Sequence, residues 1–158
     1  MTIKAFLWFD SDAEAAARFY CDLFPDSRVD HVTHAPGDDP AGAAGHVLTV
    51  AFTLFGRPFV AMNGGPGHTF TDAISLSIET ADQGETDRYW DALIADGGRA
   101  VMCGWCVDRW GLSWQIAPRA LMAGLNDPDP AAAKRVFAAM MGMVKIDIAA
   151  VEAARAEG

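Results

Sequence analysis

At 158 residues the chain is long enough for one domain with a sizeable core, burying about two thirds of its unfolded surface, and too short for two independent ones. A hydrophobic share of 51% against 21% charged residues excludes a disordered chain. The net charge of -9, with no compensating cluster of Lys and Arg, argues against nucleic acid and anionic membrane surfaces as partners.

The opening MTIKAFLWFD carries only a short apolar run before Asp10, far below the roughly 20 residues of a membrane span and without a small-residue cleavage site. A cytoplasmic protein is expected, with no membrane partner and with Cys21, Cys103 and Cys106 as reduced thiols. The first strand, residues 3 to 9, is apolar on both alternating faces, as in a strand covered on both sides. Ser11 with Glu14 reads as a capping box, and the following helix places Ala16, Phe19, Tyr20 and Leu23 on one stripe before Pro25 stops it. Residues 26 to 34, 46 to 55 and 58 to 63 read as strands, with the Gly, Pro and Asp-rich 35 to 45 as a long loop.

The pattern then recurs. AISLSIE (73 to 79) alternates Ile74, Leu76 and Ile78 against Ser75, Ser77 and Glu79. A helix starting near Asp82, with Glu85 three residues on, buries Tyr89, Trp90, Leu93 and Ile94 and ends at Gly97 and Gly98. Residues 99 to 103, 105 to 108 and 113 to 118 fit shorter strands. With a shift of 70, Asp12 falls on Asp82, Arg18-Phe19-Tyr20 on Arg88-Tyr89-Trp90, and Phe6 and Trp8 on Leu76 and Ile78, the signature of an internal repeat. On that alignment Phe6, Trp8, Leu76, Ile78 and Trp114 face the helices, and Leu7, Phe9, Ser75, Ser77, Glu79 and Gln115 face a hollow. Beyond Arg119 the chain is helical in character: Asp127-Pro128-Asp129-Pro130 starts a helix whose stripe Val136, Phe137, Met140, Met141 and Val144 covers core or a partner subunit.

The joint occurrence of residues 6 to 27, MNGGP (62 to 66), DRYWDAL (87 to 93), CGW with DRWGLSWQIAP (103 to 118) and AMMGMVKIDIA (139 to 149) resembles the vicinal oxygen chelate superfamily. That superfamily includes glyoxalase I, extradiol dioxygenases and bleomycin-resistance proteins. Within it the chain is similar to the PhnB-like branch, often labelled 3-demethylubiquinone-9 3-methyltransferase-like. The resemblance implies an α+β fold in one domain, residues 1–158: two tandem βαβββ modules (1–70 and 71–118) forming a half-open barrel, then a helical tail (119–158). It also implies a homodimer and a cavity enclosed by the two modules.

In the metal-using relatives, His and Glu on the first and last strand of each module hold a divalent ion. The matching positions here are Ala5, Val60, Ser75 and Gln115, a poor ligand set, so no metal or other cofactor is expected. The expected function is binding of an amphipathic or aromatic organic ligand by Leu7, Phe9, Asn63, Ser75, Ser77, Glu79, Trp105 and Gln115, with no catalytic residue assigned. The alternative is a lyase, isomerase or dioxygenase using a divalent metal held by His68, Glu79 and Asp108. A third reading is an interaction protein whose helical tail docks another chain.

Other chemistries find less support. Cys103 and Cys106 form C-x-x-C between β segments instead of at a helix start, which favours a structural role over redox or zinc chemistry. His31, His34 and His46 read as surface or satisfied side chains, while His68 sits where a cavity rim is expected. Neither strand-to-helix junction, FDSDAE or ETADQGE, has the Gly-rich turn of the usual S-adenosylmethionine site, so methyl transfer is not expected.

Overall fold

The computed structural model describes residues 3–157; Met1 and Thr2 of the expected first module and Gly158 of the expected tail lie outside the described residues. The fold is mixed α+β, in two compact units, residues 1–70 and 71–158. Each contains one open four-stranded sheet.

In the first unit β1 (Ala5–Phe9) is followed by α1 (Ala13–Leu23), β2 (Arg28–His34), β3 (Val47–Leu54) and β4 (Arg57–Asn63), with sheet order β1-β4-β3-β2. β1 runs parallel to β4, and the other neighbours are antiparallel. The ladders put Leu7, Phe9, Ala61, Asn63, Val50 and Phe52 on one face, and α1 covers that face through Ala13, Ala16, Ala17 and Tyr20, whose ring lies 6.5 Å from Phe52. Leu7 and Phe9 are only 7% and 4% exposed, whereas Phe6 is 58% exposed. The expected frame of β1 is therefore corrected: Leu7 and Phe9 face the helix, and Phe6 and Trp8 lie on the uncovered face.

The start of α1 also differs from expectation. Its N-cap is Asp12, without a side-chain cap, and the Ser11–Glu14 box does not form. Instead Asn63 at the end of β4 accepts the Ala13 N–H at 2.8 Å and donates to the Val47 carbonyl at 2.9 Å. A helix start is thus capped from the neighbouring strand, a partner no local motif reveals.

The second unit begins with β5 (Ser75–Thr80) and α2 (Gln83–Ile94), then β6 (Arg99–Ala100), β7 (Trp105–Val107) and β8 (Ser113–Pro118), in order β5-β8-β7-β6. Asp82 caps α2 as expected, accepting the Glu85 N–H, while the Glu85 carboxylate accepts the Ala81 N–H. Ile78, Trp114, Ile116 and Cys106 are buried on the face that α2 covers with Tyr89, Trp90 and Leu93. Here the alternation agrees with the sequence frame.

Three helices complete this unit: α3 (Arg119–Leu125), α4 (Pro130–Met141, capped by Asp129) and α5 (Ile148–Ala156). Leu121, Val136, Ile146 and Val151 form their shared core, with Met140 packed against it. The predicted tail stripe therefore divides. Val136 and Met140 point inward, whereas Phe137 and Met141 are 53% and 51% exposed and Val144 is also exposed.

The tail is anchored by the C-x-x-C segment. Cys103 and Gly104 donate backbone N–H groups to the Met143 and Val144 carbonyls, each at 2.8 Å. Gly104 has φ +81, and a Cβ there would lie 2.7 Å from the Ile116 carbonyl and 2.9 Å from Ile146, so only glycine fits.

Candidate functional site

The face of the second sheet opposite α2 carries most of the polar side chains expected in a ligand site. Ser77 and Trp105 are both direct register neighbours of Gln115, which makes Trp105, Gln115 and Ser77 one row across β7, β8 and β5. Gln115 Nε2 donates to Ser75 Oγ at 2.8 Å. Trp105, Gln115 and Ser75 are half-buried and Ser77 is exposed. Glu79, two residues beyond Ser77 on the same face, is exposed and forms an ion pair with Arg119 at 2.9 Å.

Beneath this row a buried carboxylate fixes the β7–β8 hairpin. Asp108 Oδ1 accepts the N–H groups of Trp110 at 2.9 Å and Leu112 at 3.1 Å, and Oδ2 accepts the Trp114 indole N–H at 2.8 Å. Asp108 is 3% exposed. The D-R-W-G-L-S-W segment is thus a turn lock that sets the register bringing Trp105 beside Gln115.

The uncovered face of the first sheet is different in kind. Phe6, Trp8, Val60 and Met62 line it, and the segment after β4 folds over Trp8. Trp8 donates its indole N–H to the Gly65 carbonyl at 3.0 Å, and His68 packs edge-on against the Trp8 ring at 4.7 Å. A Cβ on Gly64 would come within 2.2 Å of the same ring. Leu7, Phe9 and Asn63, expected at the ligand site, are instead core residues of this unit, and both ends of the Asn63 amide are engaged. Trp8 and Phe6 occupy the open positions, a substitution hidden because a one-residue slip in β1 exchanges its faces.

The residues do not suit a divalent ion. Ala5 and Val60 have no donor atom, and Ser75 and Gln115 form a neutral pair where imidazole and carboxylate would be needed. Of the alternative ligands, Asp108 spends both oxygens on the turn, Glu79 faces Arg119 and His68 packs edge-on against Trp8. Among the described residues there is no group of three or more His, Cys, Asp or Glu able to hold a metal.

Nor do they suit S-adenosylmethionine at the helix starts. Asn63 takes the first N–H of α1, and the Asp82 and Glu85 side chains fill the start of α2. Burial pushes the Cys106 thiol up to about 12, and burial, then the Asp22 charge, pushes Cys21 up to about 11, away from nucleophilic chemistry at neutral pH.

A family model described as 3-demethylubiquinone-9 3-methyltransferase matches residues 1–117. The solved PhnB protein from Bacillus cereus is 30% identical, with 75% of this chain and 99% of that one covered and a TM-score of 0.67. Protein PA1353 from Pseudomonas aeruginosa is 18% identical over 75% of this chain and 97% of that one, with a TM-score of 0.57. No curated protein matches.

Proposed function

We propose, for a chain that belongs to the 3-demethylubiquinone-9 3-methyltransferase family and so to the PhnB-like branch of the vicinal oxygen chelate superfamily, that it binds a small organic ligand without a metal. The observation that carries this reading is the row Trp105, Gln115 and Ser77, with Ser75 tethering Gln115, on the sheet face opposite the one packed on α2. An aromatic wall beside a few neutral hydrogen-bonding groups is the usual make-up of a site for an amphipathic or aromatic molecule. Gln115 and Ser75 orient the ligand, Trp105 stacks on it, and Ser77 and Glu79 border it. No residue is assigned a catalytic role, and the methyl transfer in the family's description is not carried over, because neither helix start offers the cofactor a place.

The reading extends to a homodimer. Phe137 and Met141, one turn apart on α4 and both half exposed, support it as apolar surface suited to a second copy. It also extends to a cytoplasmic setting, supported by three free thiols and by the absence, among the described residues, of any helix long and apolar enough to cross a membrane.

Native mass spectrometry of protein purified gently from its own cells, without chelator or added metal, tests the proposal. A metal-free dimer retaining a discrete organic mass is the expected result. One divalent ion per subunit, removable by chelator together with ligand binding, would overturn it in favour of a metal-dependent lyase, isomerase or dioxygenase.

A further inference from the structure

Gln115 also narrows the class of ligand, an argument that rests on the binding site proposed above. A primary amide has two N–H hydrogens and one carbonyl oxygen. Ser75 takes one hydrogen, and among the described residues neither the second hydrogen nor Oε1 has a protein partner. Exchanging the two ends of the amide would tie Oε1 to the Ser75 hydroxyl and still leave donor and acceptor capacity on the free side. The site therefore presents a paired acceptor and donor from a half-buried position in either orientation.

The surroundings select the rest of the ligand. Trp105 stands one strand away on one side and Ser77 one strand away on the other, a span of about 10 Å across three strands. The Trp105 indole offers a flat surface, and its N–H has no protein partner among the described residues. The charges at the border, Glu79 and Arg119, face each other at 2.9 Å and offset one another, so the border carries no net charge toward a ligand. An anionic carboxylate would meet the amide oxygen of Gln115 in a chain of net charge -9.

We infer that the site selects a flat, neutral aromatic molecule carrying adjacent N–H and C=O groups, a lactam or cyclic imide edge, and that Gln115 held by Ser75 determines that specificity. A lactam returns both hydrogen bonds of an amide in one plane. A site built to make such bonds discriminates against analogues that lack one of them, because its half-buried amide is then left with a group unpaired under the ligand.

The test is isothermal titration calorimetry of the full chain with three probes: 2-quinolone, N-methyl-2-quinolone, which lacks the donor, and quinoline-2-carboxylate, which is anionic. 2-Quinolone is expected to bind about tenfold or more tightly than either of the others. Gln115→Leu should remove that preference, and Ser75→Ala, which leaves the amide in place but untethered, should reduce it to a few-fold. Circular dichroism melting would establish that both variants are folded. Equal affinity for 2-quinolone and its N-methyl analogue, or a preference that survives Gln115→Leu, would overturn the lactam assignment while leaving the site standing. Preference for quinoline-2-carboxylate would overturn it in favour of an anion subsite at Arg119. Failure of all three probes to bind would refute the site itself along with the ligand class.

Discussion

Replacing Asp108 by alanine should unfold much of what positions the candidate site, although Asp108 itself touches no ligand. The substitution strands two buried donors, the Leu112 N–H and the Trp114 indole N–H, and one half-buried donor, the Trp110 N–H. Each buried donor left without a partner costs about 1–3 kcal/mol, so the expected loss is about 4 kcal/mol. That is a large share of the roughly 5–15 kcal/mol that holds a typical domain folded. In urea unfolding followed by circular dichroism, the midpoint should fall by about 2 M, given a slope of about 2 kcal/mol/M. Asp108→Asn, which keeps one carbonyl oxygen, should lose less. In a double-mutant cycle with Trp114→Phe the coupling should exceed about 1 kcal/mol. A loss below about 1 kcal/mol for Asp108→Ala would refute the turn-lock argument.

Four further outcomes follow from other parts of the structure. Asn63→Ala should destabilise the chain by about 2 kcal/mol in the same urea assay, since it uncaps Ala13 and frees the Val47 carbonyl; a neutral result would mean α1 does not depend on its cap from β4. Gly64→Ala should displace the Trp8 ring, which a Cβ would meet at 2.2 Å, at a cost of about 1–3 kcal/mol and with a shift in the Trp8 indole resonance. At pH 8 a thiol reagent should modify Cys103, which is partly exposed, well before Cys106. Because burial raises the Cys106 pKa above its unfolded value of 9.0 to about 12, the unfolded chain ionises first. The contribution of this thiol to stability is therefore intact below pH 9 and declines between pH 9 and about pH 12, which unfolding measured across that window would check.

The repeat was legible because the strand–helix order and the aromatic stripe of the helix recur in both halves. Asp82 does cap α2, and the second-half alternation of Ser75, Ser77 and Glu79 against Leu76 and Ile78 places the polar row correctly. The same logic failed in β1 for a definite reason. Aligning Asp12 with Asp82 assumes equal strand-to-helix connections, yet the helix-facing residues Leu7 and Phe9 superpose on Leu76 and Ile78 only with an odd shift. The two connections differ by one residue, and in a strand apolar on both faces no hydrophobicity pattern reports the slip. Asn63 belongs to the core of the first unit and not to a ligand site. Its two partners, Ala13 and Val47, are distant in sequence and carry no local motif. The tail stripe divided for a related cause: Val136 and Met140 meet α3 and α5 residues, and periodicity alone does not say how wide a neighbouring surface will be.

The most direct test of metal-independent binding at the second sheet is a 1H–15N correlation spectrum of chelator-treated protein titrated with 2-quinolone. The account requires saturable shifts of the Gln115 side-chain amide and the Trp105 indole N–H, unchanged on adding divalent metal. Shifts that arise only after a divalent ion is supplied, or that leave both groups unmoved, would contradict it.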